Sequence, residues 1–167
     1  MERLEARDRF CLQAAVGWLE LGNADEAAAE LAQVSESVRS VPEVLEVSWQ
    51  VHAARRDWTA ALAVAEELIR RAPERETGWL HRAYALRRAP GGGLDKARAA
   101  LLPALRRFPK NPLIPFNLAC YEAQLGHLEA AWRYLQQAMR VGGRRAIRPM
   151  ALADEDLAPL WERLRRA

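Results

Sequence analysis

The sequence predicts an all-α fold, a solenoid of four helix-turn-helix repeats closed by a C-terminal helix. Three observations predict it. A small residue inside a hydrophobic run is followed by apolar residues four and seven positions on, and this recurs as Ala27/Leu31/Val34, Ala61/Ala65/Leu68, Ala97/Leu101/Ala104 and Ala131/Leu135/Ala138. The four anchors lie 34, 36 and 34 residues apart. In the two middle copies a proline, Pro73 or Pro109, follows twelve residues after the anchor, where a second helix has to stop. A hairpin of this length leaves an apolar face uncovered, so successive hairpins stack. The whole chain, 1–167, reads as one such domain.

The elements follow in order. The first repeat covers about residues 7–40, with a turn at Gly22-Asn23-Ala24-Asp25 in which Gly ends one helix and Asp25 caps the next. The second covers about 42–73; its turn, Arg55-Arg56-Asp57-Trp58, lacks Gly but offers Asp57 as a cap. Taking Ser48 as the small residue of its first helix requires one extra turn residue, so the register of 43–56 stays open by one. The third covers about 75–109, its turn enlarged by Pro90-Gly91-Gly92-Gly93, and Pro103 predicts a kink or a late start in its second helix. The fourth covers about 111–143, with Gly126 in the turn and Gly142-Gly143 at its close. A closing helix over about 156–166, capped by Asp156, puts Leu157, Leu160, Trp161 and Leu164 on one stripe.

Composition bounds the function. Half of the 167 residues are hydrophobic and 28% are charged, which suits a folded chain. No apolar run is long enough for a membrane span, and MERLEARDRF has no signal-peptide core. Two cysteines far apart, Cys11 and Cys120, are expected to be reduced, which with the absent signal points to the cytoplasm. His52, His81 and His127 are scattered, no serine sits in a glycine-flanked turn, and Gly91-Gly92-Gly93 lacks the Lys and Ser/Thr of a phosphate loop. The expectation is a protein that is not an enzyme and takes no metal and no cofactor.

The fourth copy, NPLIPFNLACYEAQLGHLEAAWRYLQQAM, resembles the tetratricopeptide repeat, with its Asn-Pro start, aromatic-leucine-small first helix, turn glycine and Ala-x3-large-x2-Ala second helix. Trp79 and Ala83 match in the third copy. The resemblance covers about residues 7–143 and implies a right-handed superhelical solenoid that works by binding other proteins. The stretches NPLIPFNLACYEAQLG and ALADEDLAPLW further resemble the short bacterial kinesin light chain type. That likeness implies a partner in bacterial tubulin-like polymers, whose subunits are acidic. The co-chaperone use of this fold is not expected, because the groove positions that would hold a cation cluster carry Leu12, Val16, Glu46, Thr77 and His81.

In tetratricopeptide proteins the first helices line a concave groove. With Ala15, Ser48, Ala83 and Ala119 as the inward small residues, the groove stripe comprises Leu12, Val16, Leu45, Trp49, Leu80, Tyr84 and Phe116, with Cys120 after Ala119 and Arg87 at its margin. Two readings stand side by side: these residues pack helix on helix, or they line an open groove for a peptide or helix anchored on Trp49, Tyr84 and Phe116. The groove reading would make the chain a secretion-type chaperone.

The net charge of +3 hides an imbalance. Residues 1–80 carry 9 Arg against 15 Asp and Glu, and residues 81–167 carry 14 Arg and 2 Lys against 7. Arg106, Arg107, Lys110, Arg140, Arg144, Arg145 and Arg148 form the predicted basic surface. Such a surface suits an acidic protein partner first, then self-association of acidic front with basic back. Nucleic acid is disfavoured, because stacking aromatics do not interleave with these arginines.

Overall fold

The computed structural model describes residues 4–166; residues 1–3, which open the charged N-terminal segment, and residue 167 lie outside it. Among the described residues there are eleven α-helices, two 3-10 segments and no strand. They gather into two compact units, the first ending at Gly91 and the second beginning at Gly92. The division falls in the glycine-rich turn that lengthens the third repeat.

The first unit contains α1 (Ala6–Glu20), α2 (Ala24–Ala32), α3 (Pro42–Ala54), α4 (Trp58–Arg71) and α5 (Glu76–Arg88), with a 3-10 segment Glu36–Val38 between α2 and α3. Consecutive helices pack as hairpins because the small anchors vanish into their crossings: Ala15, Ala27, Ala61, Ala65 and Ala83 are completely buried. The first turn corrects one expectation. Asn23, not Asp25, caps α2, accepting from the Glu26 amide at 3.2 Å, while Asp25 lies inside the first turn and pairs with Arg55. Asp57 caps α4 as expected, accepting from the Ala60 amide. The buried Asp8 on α1 accepts from the Ser35 amide at 2.8 Å, which ties the first helix to the end of the first hairpin. That bond, with the Ser35 hydroxyl, holds the Asp8 carboxyl below its ordinary pKa.

The open register of the second repeat is settled. Its turn, Arg55-Arg56-Asp57, is three residues long, like Leu21-Gly22-Asn23 and Leu125-Gly126-His127. Trp49, not Ser48, therefore stands where Ala15 and Ala119 stand in their repeats. Trp49 packs against Ala61 and Ala65. A large residue on the first helix is matched by alanine at position 65, where the other repeats carry Leu31, Leu101 and Leu135. The crossing is filled to a similar volume from the opposite side.

The second unit contains α6 (Leu94–Leu101), α7 (Ala104–Arg107), α8 (Leu113–Gln124), α9 (Leu128–Gly142), α10 (Arg144–Ala153), a 3-10 segment Glu155–Leu160 and α11 (Trp161–Arg166). Pro103 breaks α6 from α7, as a residue without an amide donor should. Helix α8 is buried from Ile114 to Phe116 and from Leu118 to Ala123, since α6, α9 and the 3-10 segment all pack on it. Two features of the C-terminal region differ from expectation. Residues 144–153 form α10, unforeseen because Pro149 and three arginines obscure its short apolar face of Ile147 and Ala151. The closing segment starts at a cap on Asp154, which accepts from the Asp156 amide, and runs as a 3-10 turn before becoming α11. Pro159, two positions before α11, shortens that helix. Leu157, Leu160 and Leu164 are nonetheless buried on the foreseen stripe.

Candidate functional site

The predicted groove residues divide sharply. Leu12 and Val16 on α1 are half-buried and pack against the cores of the first two hairpins. Leu45 joins Leu68 and Ala72 in a separate core, and Trp49 is only 8% exposed. Leu80 and Arg87 are half-buried, and Phe116 on α8 is 6% exposed. Tyr84 is the exception at 39% exposed. Cys11 and Cys120 are buried and form no disulfide.

Around Tyr84 the first unit builds a cluster of rings. Trp49 stacks on His81 with centroids 3.8 Å apart, and Tyr84 meets Trp49 edge-on at 5.8 Å. Burial pushes the His81 pKa down to about 4, against the opposing charge of Glu46. Trp58, at the start of α4, tilts against Tyr84 from 5.8 Å. The Arg88 guanidinium lies 3.5 Å from the Tyr84 ring centroid and 5.4 Å from that of Trp58, and donates to the Tyr84 carbonyl. These groups, with Ala53, Ala54 and Arg56, line a cavity of about 530 Å³. Arg56 has φ of +58°, the left-handed conformation that Gly22 and Gly126 take at the same turn position. Sequence reasoning noted the missing turn glycine but not its consequence: the turn keeps a strained arginine on a cavity wall.

The predicted basic surface separates into three kinds of arginine. Arg106 and Arg107 in the last turn of α7 and Arg140 in the last turn of α9 are exposed where a positive charge favours the helix. Arg144 and Arg145 are exposed in the first turn of α10, the end at which a positive charge is disfavoured. Arg148 is set apart: its guanidinium donates to the Leu164 and Arg165 carbonyls and so closes the C-terminus of α11. Lys110 is exposed in the loop before α8. That loop and the α9–α10 junction adjoin, because a Cβ on Gly142 would fall 2.7 Å from Pro112 Cβ. Lys110, Arg140, Arg144 and Arg145 each lie within three residues of this contact along the chain. By contrast Arg98 and Arg163 are engaged by Glu122 and Glu129.

Glu122, almost wholly buried on α8, is bonded by Arg98 and lies 2.8 Å from His127 Nδ1. A buried carboxylate requires such partners, and this one locks α6 and the α8–α9 turn together. Cys120, Asp154 and Asp156 bring three ligand-type atoms within 4.8 Å of one another. Their bonds are structural: the Cys120 thiol donates to Asp154 at 3.6 Å, and Asp154 caps the 3-10 segment.

Searches against family models and against curated proteins find no match. Solved structures do match. One is a thermophilic TPR protein of Thermus thermophilus, at TM-score 0.74 and 22% identity, covering 94% of this chain and 82% of that one. The MamA RS-1 ArsTM double mutant matches at TM-score 0.69 and 15% identity, over 85% of this chain and 79% of its own. MamA MSR-1 C2 matches at 0.65 and 17%, over 83% and 79%. The chain has the tetratricopeptide fold. Within the tetratricopeptide fold, Arg56 occupies a turn between the two helices of a repeat, and Tyr84 and Arg88 lie on the first helix of the next. No helix among the described residues is long and apolar enough to cross a membrane.

Proposed function

We propose that this tetratricopeptide chain is a non-enzymatic interaction adaptor whose second unit docks, through its basic edge, on an acidic protein surface. The carrying observation is the placement of Arg144 and Arg145. A solvated helix gains from positive charge at its C-terminus and loses from it at its N-terminus. These two arginines sit at the wrong end of α10, exposed, with no ion pair among the described residues. Helix stability does not account for them, whereas a negatively charged partner does. The resemblance to the kinesin light chain type supplies the specific candidate, a bacterial tubulin-like polymer.

The test is co-sedimentation with such filaments. The double variant Arg144→Glu, Arg145→Glu should leave the protein in the supernatant. Arg148 is left intact, because it holds α11 in place. Pelleting of the double variant at the wild-type level would overturn the proposal. The chaperone reading has lost two of its three anchors, since Trp49 and Phe116 are buried within their own units.

A further inference from the structure

The cavity walled by Trp58, Tyr84, Arg56 and Arg88 belongs to the first unit and plays no part in the docking edge just described. We infer that it is a second binding site, and that it takes carboxylate side chains of a glutamate-rich peptide segment. Three independent features converge on it. The first is charge. Two arginines line the cavity, no acidic residue does, and neither arginine has an acidic partner among the described residues. This happens in a unit that otherwise carries more acid than base: up to Gly91 there are 12 Arg against 15 Asp and Glu. Elsewhere in the unit Arg55, Arg70, Arg71 and Arg75 are each held by a carboxylate.

The second feature is pre-organisation. Arg88 is laid on Tyr84 and flanked by Trp58, with one nitrogen committed to the Tyr84 carbonyl. A guanidinium fixed in this way has already given up much of its side-chain freedom. Its remaining N–H edge offers the planar fork that matches a carboxylate. The third is strain. Arg56 keeps a left-handed backbone that its counterparts Gly22 and Gly126 adopt freely. Strain of this kind clusters where a side chain is needed in place.

The lining decides between anions. Phosphate is held best by backbone N–H groups at a helix N-terminus. At α4 that terminus is already capped, since Asp57 accepts from the Ala60 amide. The guanidinium fork accepts a carboxylate without those amides, and since it would accept phosphate as well, the choice rests on the apolar lining. The methyls of Ala53 and Ala54 and the rings of Trp58 and Tyr84 suit the two methylenes of a glutamate.

The test is fluorescence anisotropy of a fluorescein-labelled hexaglutamate peptide titrated with the full chain at low salt. Arg88→Gln is expected to weaken binding about tenfold. Arg56→Gly is expected to weaken it about threefold while raising the melting temperature, because it removes both the charge and the backbone strain. A misfolded variant could not show that pairing of effects. Failure of the wild-type chain to bind the peptide would overturn the inference. So would displacement of the peptide by inorganic phosphate beyond what sodium chloride produces at matched ionic strength. If Arg56→Gly and Arg88→Gln both bind like wild type while Arg144→Glu, Arg145→Glu does not, the cavity falls and the docking edge stands. The reverse pattern separates them the other way.

Discussion

Trp49 shows how one residue resets its surroundings. It stands where the other repeats place alanine, and Ala65 stands where they place leucine. Trp49→Ala alone should cost about 3–5 kcal/mol through the cavity it leaves. Adding Ala65→Leu should recover part of that loss by filling the crossing from α4. Chemical denaturation of the two single variants and the double gives the coupling, and strict additivity would count against the exchange. His81, stacked on Trp49, carries a pH dependence. Its pKa is lowered from 6.5 to about 4, so the unfolded chain binds the proton more readily between those values. The stability due to a neutral His81 is complete above pH 6.5 and is lost as pH falls towards 4. The loss is roughly 2–3 kcal/mol. Comparing unfolding free energies of wild type and His81→Phe across that window should show the difference between them shifting in favour of the variant at low pH.

At the scale of elements, α10 was the piece hardest to foresee. Its proline and the two arginines at its N-terminus argue locally against a helix, and only packing of Ile147 and Ala151 reveals it. Two consequences follow from its geometry. Glutamate at 144 and 145 should favour the α10 N-terminus, by about 0.3–1 kcal/mol each. The docking variant is therefore expected to melt no lower than wild type while losing its partner, and a thermal melt beside the pelleting assay checks this. Gly142, at the end of α9, is forced by close approach: a Cβ there would lie 2.7 and 2.9 Å from the Pro112 ring and 3.0 Å from Ile147. A proline ring cannot swing aside. Gly142→Ala should destabilise by about 1–3 kcal/mol despite the better helix propensity of alanine. Denaturant midpoints at constant m-value would measure it, and a neutral result would mean that the α9–α10 junction relaxes freely.

At the scale of the molecule, charge is the property on which the proposed docking rests. The imbalance read along the sequence survives in the folded units but changes its border. Arg82, Arg87 and Arg88 belong to the first unit, which leaves 11 Arg and 2 Lys against 7 Asp and Glu from Gly92 onward. Docking through exposed arginines is screened by salt. Pelleting with an acidic polymer should fall steeply between low and physiological ionic strength, and salt-insensitive pelleting would point to an apolar interface instead.

The repeat scaffold was legible because it depends on short-range regularities. Alanines at fixed spacing, turn signals between the helices and a proline after each middle repeat are visible in one dimension, and each has a direct steric cause, whereas the three-residue length of the second turn emerged only in the fold. Asp57 was readable as a cap for the same reason. The candidate sites were not legible to the same degree. Whether Trp49, Phe116 and Tyr84 face a partner or a core depends on what other helices bring to them. The same holds for Arg148, which sequence alone groups with Arg144 and Arg145 but which folding commits to the end of α11. Arg56 stood in plain view at a glycine position, yet its meaning needed the rings of Trp58 and Tyr84 beside it. The sequence by itself determined the helical repeat, because helix propensity and small-residue packing act over a few turns of chain. Only the tertiary structure decided which charges and rings remain available to a partner, because burial is a property of neighbours far apart along the chain.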